Sequence, residues 1–157
     1  MQQLTAQETD ARQGWSRLVR AHAGIARSLD ARLSAEHDLT VNEYNCLLLL
    51  ERAEERRMRR VDIAETLVLS PSGITRMLDR LECAGLVEKA KCSSDARVTY
   101  AVLTAGGRSR LKAAGKAHDA VIDEVVGALP ERDLKRLAEI LERLGAVEDD
   151  TCSVADE

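Results

Sequence analysis

The stretch from Leu69 to Thr104 restricts the fold more than any other part of this chain. Ser70 and Pro71 open a helix there. A serine hydroxyl satisfies an orphan amide at a helix start, and proline at the first helical position forfeits no hydrogen bond. Ile74, Met77, Leu78 and Leu81 then recur at helical spacing and give the helix one apolar face. Gly85 is suited to the left-handed residue that ends a helix. Two short strands are expected next, over Leu86–Ala90 and Arg97–Leu103. In the second, Val98, Tyr100 and Val102 alternate with Thr99, Ala101 and Leu103. The polar run KCSSD between them reads as a hairpin tip.

The flanking sequence is helical. Trp15, Leu18, Val19, His22, Ile25, Leu29 and Leu33 place an apolar stripe on a helix from about Ala11 to Leu33. Thr40 with Glu43 three residues on has the form of a capping box, opening a leucine-rich helix to about Arg52. The run EERRMRR reads as a charged connection, and Val61–Leu67 as a short helix. Thr104 caps a long helix to about Leu129. Pro130 opens a last one to about Val147, with Leu134, Leu137, Ile140, Leu141 and Leu144 on one face. Aromatic residues make up 2% of the 157 and Phe is absent, so the core is aliphatic, which suits helices. The expected fold is mostly α with a small β-hairpin wing: a winged helix-turn-helix core flanked by terminal helices. Residues 1–36 form an N-terminal helix, 37–104 the central domain, 105–147 the C-terminal helices and 148–157 an acidic, disordered tail.

The net charge is −4, but it is unevenly spread. Residues 52–97 carry 10 basic and 8 acidic groups, and the segments on either side are net acidic. Phosphate contact is local, so an acidic protein with one basic segment suits DNA as a partner. No apolar run reaches the roughly 18 residues that suggest a membrane span. The N-terminus lacks a signal pattern, so a cytoplasmic location is expected, with Cys46, Cys83, Cys92 and Cys152 reduced. No phosphate loop, nucleophile elbow or metalloprotease motif occurs, and His22, His37 and His118 are scattered. Neither an enzyme nor a metal site is expected, and no cofactor.

The helix from Ser70 exposes Ser70, Ser72, Gly73, Thr75, Arg76 and Arg80. Hydroxyls suit phosphates or bases, arginine suits guanine, and a glycine permits close approach. Lys89 and Lys91 lie beside them in the hairpin as further phosphate contacts. The segments LTVNEYNCLLLL, SPSGITRMLDRLECAGLVEK and DARVTYAVLTAGG together resemble the MarR family of winged-helix transcription regulators, over nearly the whole chain. The resemblance implies that the Ser70 helix is the recognition helix. It also implies that Arg97 enters the minor groove with Asp95 fixing its direction; many members carry a second arginine where this chain has Ala96. It implies a homodimer joined through the terminal helices on a pseudo-palindromic operator, acting as a repressor released by a small phenolic or anionic ligand. Trp15, His22 and Tyr44, with Arg17 and Arg20 for a carboxylate, are the candidate lining residues. Trp15 is otherwise a core aromatic and His22 a helix-face histidine. Some relatives sense peroxide through a first-helix cysteine, which this chain lacks. Here Cys83 and Cys92 are the positions where oxidation would disturb DNA contact. The alternative function is a winged-helix module for protein–protein contact.

Overall fold

The computed structural model describes residues 6–91 and 98–151. In chain order the elements are α1 (Ala6–His37), α2 (Val41–Arg52), a 3-10 turn (Glu54–Arg56), β1 (Arg57–Arg59), α3 (Arg60–Thr66), α4 (Pro71–Cys83), β2 (Val87–Lys91), β3 (Thr99–Leu103), α5 (Ala105–Val126) and α6 (Glu131–Thr151). The strands form one antiparallel sheet in the order β1-β3-β2, with Met58 opposite Ala101 and Val87 opposite Leu103. The chain divides into two compact units, one ending at Val121 and the other beginning at Ile122.

Local chemistry accounts for most boundaries in the first unit. The capping box at α2 is formed: Glu43 N–H donates to Thr40 Oγ1 at 3.3 Å, and Thr40 N–H donates to Glu43 Oε2 at 2.7 Å. Ser70 caps α4 by accepting from Gly73 N–H at 3.1 Å. Gly85 follows the end of α4 with φ +68°, the left-handed conformation glycine adopts at least cost. Leu33, Leu47, Leu50, Ile63, Leu78 and Leu81 are buried at the centre of the core. These side chains come from α1 to α4, so the aliphatic composition is spent on holding α4 against its neighbours.

Thr104 joins the hairpin to α5. Its Oγ1 accepts from Gly107 N–H at 2.9 Å, capping α5, and donates to Gly85 O at 2.7 Å. A Cβ at Gly107 would lie 2.1 Å from Leu86 O, so only glycine permits this approach of helix to strand.

Several expectations are corrected. The charged connection contains a strand: β1 pairs with β3 and makes the sheet three-stranded. Of its residues Arg57, Met58 and Arg59, Met58 alone packs against the core. α1 begins at Ala6 and continues to His37, but its apolar stripe is buried only toward the C-terminal end. Leu29 and Leu33 are inside, while Trp15, Leu18 and Val19 are exposed. Trp15 is 69% exposed, so it is not a core aromatic in the single chain. α5 ends at Val126, three residues early, where Gly127 N–H bonds Asp123 O and a turn begins. In the second unit α6 runs to Thr151, so helix continues into the segment from residue 148 assigned to a disordered tail; extending a formed helix costs little per residue. Leu137, Ile140, Leu141 and Leu144 line one face of α6 and are exposed.

Candidate nucleic-acid interface

The amphipathic pattern of α4 fixes which side chains face outward. Ile74, Met77, Leu78 and Leu81 are buried, leaving Ser70, Ser72, Arg76 and Arg80 exposed and Gly73 and Thr75 half-buried. The N-terminal end is tightly organised. Ser70 Oγ, besides capping Gly73, lies 3.2 Å from Ser72 Oγ. A Cβ at Gly73 would come within 3.1 Å of Ser70 Oγ, so the glycine makes room for the cap as well as for an approaching ligand. Thr75 Oγ1 donates to Pro71 O at 2.8 Å and accepts from Arg60 Nη1 at 3.1 Å. Its single proton is therefore committed within the helix.

The cations divide into two groups. Arg76 and Lys91 are exposed and have no ion-pair or hydrogen-bond partner among the described residues. Arg80 is exposed but ion-paired to carboxylates of its own chain. Its Nε lies 3.0 Å from Glu43 Oε1, and its Nη2 lies 3.0 Å from Asp38 Oδ1 and 3.2 Å from Asp38 O. Glu43 is 3% exposed, and Arg80 with the Thr40 cap satisfies it, as a buried carboxylate requires. Lys89 bonds Asp79 and, at 2.8 Å, Glu82, bracing β2 against α4. Those hydrogen bonds raise its pKa. Arg80 and Lys89, both expected at DNA, are thus committed to intramolecular carboxylates. Sequence reading did not foresee this, because the partners of Arg80 lie about forty residues away.

Arg60 was missed in the opposite sense. It ends the charged run but sits at the start of α3, exposed, with one nitrogen on Thr75. Arg59 is chelated by Asp62 at 2.6 and 2.8 Å, chiefly by hydrogen bonds that raise its pKa. Arg57 lies over the Tyr100 ring at 5.3 Å from its centroid. Asp95, Arg97 and Cys92 lie outside the described residues.

The five effector candidates are not brought together in one chain. Trp15, Arg17, Arg20 and His22 are on the exposed part of α1. Tyr44 is buried and stacked on His118 with ring centroids 4.6 Å apart. Burial, with the nearby Asp119 carboxylate, raises its pKa. Cys83 is exposed, whereas Cys46 is buried and burial pushes its thiol up to about 12. Among the described residues no cluster of three His, Cys, Asp or Glu is able to hold a metal, and no helix is long and apolar enough to cross a membrane.

A helix whose capped, polar N-terminal end projects beside a short helix, with a three-stranded hairpin sheet at its other end, defines a winged helix-turn-helix protein. The MarR family model matches residues 39–99, the span from the α2 cap to the start of β3. An HTH-type transcriptional repressor of Mycobacterium tuberculosis is 31% identical over 132 residues, covering 82% of this chain and 91% of that protein. The HTH-type transcriptional regulator MhqR of Bacillus subtilis is 29% identical over 82% of this chain and 86% of its own. A MarR family regulator from Streptomyces coelicolor, solved in complex with DNA, superposes with TM-score 0.82 at 26% identity over 92% of this chain and 89% of that one. AbsC, from the same organism and family, gives TM-score 0.82 at 28% identity over 96% and 99%. The chain belongs to the MarR family of transcription regulators, a DNA-binding class and not an enzyme class.

Proposed function

We propose that this regulator is a homodimeric repressor that holds a pseudo-palindromic operator with one α4 per half-site. The observation that carries the DNA reading is the N-terminal half of α4. Its buried face fixes the helix, its capped end leaves Ser70 and Ser72 exposed, and Arg76 projects with no partner among the described residues. An unpaired arginine there suits guanine O6 and N7, and the helix amides suit phosphate. Residues 37–104 form the reading unit, and the wing adds Arg97, aligned by Asp95, in the minor groove. Lys91 contacts the backbone.

Dimerisation is supported by the apolar residues left in solvent. Trp15, Leu18 and Val19 on α1, and Leu137, Ile140, Leu141 and Leu144 on α6, are exposed in the single chain. A twofold partner removes them from water and sets two α4 helices at half-sites about one DNA turn apart. A small phenolic or anionic effector acts on the dimer by favouring a spacing of the reading units that misfits the operator. Trp15, Arg17, Arg20 and His22 need a second chain to enclose such a molecule. The repressor assignment follows the mycobacterial relative.

Selection of genomic DNA fragments on the purified protein tests this reading, with Arg76→Ala and Arg97→Ala run alongside. The expected result is a pseudo-palindromic site, weakened in both variants. Recovery of no site by folded dimer at low salt overturns it and favours protein-only contacts. Calorimetry with a panel of phenolic and other aromatic acids tests the effector; absence of binding to every one removes that part.

A further inference from the structure

An apolar groove of about 450 Å³ lies between α3 and the start of α4. Val61, Val68 and Pro71 line it, Ile74 lies at its base, and Arg60 and Glu65 stand beside them. Val68 is the unusual member. The end of α3 is a Schellman turn: Leu69 N–H bonds Ala64 O at 2.8 Å, and Val68 N–H bonds Glu65 O at 3.1 Å. That turn requires a left-handed residue, and Val68 supplies it with φ +51°. A β-branched residue is costly in this conformation, and this one also leaves its side chain 90% exposed. Glycine or asparagine would relieve the backbone and remove the apolar group from water. Val61, across the groove, is 49% exposed.

We propose that this groove reads thymine C5-methyl groups in the major groove through Val61, Val68 and Pro71. The inference rests on the assignment of α4 as the recognition helix. The groove is continuous with that helix: Val68 leads within two residues to the Ser70 cap, and Pro71 is its first residue. The C5-methyl of thymine is the apolar group that base edges present in the major groove. Arg60 beside the groove carries guanidinium nitrogens beyond the one on Thr75 and suits the flanking phosphate. Glu65 repels phosphate, so the DNA backbone does not lie across the groove itself. With the Thr75 hydroxyl already bonded to Pro71 and Arg60, apolar contact is the readout this side of α4 retains.

The test takes the operator recovered by selection and replaces thymine with deoxyuridine one position at a time, which removes only the methyl group. For wild type, binding is expected to weaken about fourfold at one or two positions in each half-site, the worth of one buried methyl. Val68→Asn, a residue at ease in the left-handed backbone, keeps the fold and is expected to lose that sensitivity. Val61→Ser is expected to do the same, with thermal melting confirming that both variants fold. Deoxyuridine without effect at every position, half-sites lacking thymine, or full sensitivity retained in both variants overturns the proposal while leaving the DNA reading intact. Failure of wild type to bind any DNA overturns both.

Discussion

Two arginines four residues apart on α4 have different partners. Arg76 points to solvent, while Arg80 closes an ion-pair network with Asp38 and the buried Glu43. Arg76→Ala is expected to lower operator affinity by roughly 1–3 kcal/mol, the worth of a good base contact, with the melting temperature unchanged. Arg80→Ala is expected to do the reverse. It strips a charge-assisted partner from a carboxylate that stays buried, which costs about 1–2 kcal/mol once the exposure of the arginine is allowed for. Fluorescence anisotropy and denaturant melts on both variants separate the two effects. Equal losses of affinity at unchanged stability would return Arg80 to the DNA surface. Sequence spacing placed both arginines on one helix face and correctly set that face outward. It carried no information on Asp38, which reaches Arg80 only because the chain turns between α1 and α2.

The cysteines provide a second comparison at this scale. The unfolded thiol of Cys46 ionises near 9, and burial moves the folded value to about 12. Between these values the native protein keeps a proton that the unfolded chain has lost. The stabilisation is complete below pH 9 and drains away as pH rises toward 12. Tyr44, also raised by burial, acts in the same direction. Urea midpoints are therefore expected to fall from pH 9 upward, and less steeply in Cys46→Ala. In native protein at pH 8 a maleimide is expected to label the exposed Cys83 and spare Cys46. Labelling of Cys46 at a comparable rate would show that the core opens.

Elements were legible to the extent that their signals were local. The α2 capping box, the Ser-Pro start of α4 and the Gly85 stop each depend on neighbours within a few residues, and each is present. β1 was not legible, because Arg-Met-Arg inside a charged run is too short for its alternation to stand out, and it becomes a strand only by pairing with β3. The joint between the sheet and α5 had a legible cap at Thr104 but gave no sign of how closely helix and strand meet. Gly107→Ala sets a Cβ against Leu86 O and Leu103 Cδ1, the latter at 2.7 Å. The backbone carbonyl cannot swing away as a side chain would. A loss of about 1–3 kcal/mol is expected, the usual range for overpacking. Gly106→Ala, where the nearest backbone oxygen is 3.2 Å away, is expected to cost less. Thermal melts of the pair provide the comparison, and equal melting temperatures would show that the joint yields.

For the molecule as a whole, the proposed dimer links apolar surface to DNA reading. α6 exposes Leu137, Ile140, Leu141 and Leu144, and α1 exposes Trp15, Leu18 and Val19. The periodicity of these residues was plain in the sequence, but whether one chain buried them was not, because periodicity does not name the partner. In a single chain this much apolar side chain in water favours association. Leu137→Glu with Leu141→Glu places two charges on the α6 face and leaves the sequence of the first unit, which contains α4, unchanged. The variant is expected to sediment as a monomer, keep the circular dichroism of a helical protein, and retain weak binding to one half-site. Affinity for the full operator is expected to fall by far more than for a half-site, since two linked contacts act at a high effective concentration and two free ones do not. If the variant stays dimeric and binds the full operator unchanged, the α6 face does not join the two chains, and α1 becomes the surface to alter. If it is monomeric yet binds the full operator as tightly as before, the two half-sites are read independently and the operator need not be palindromic.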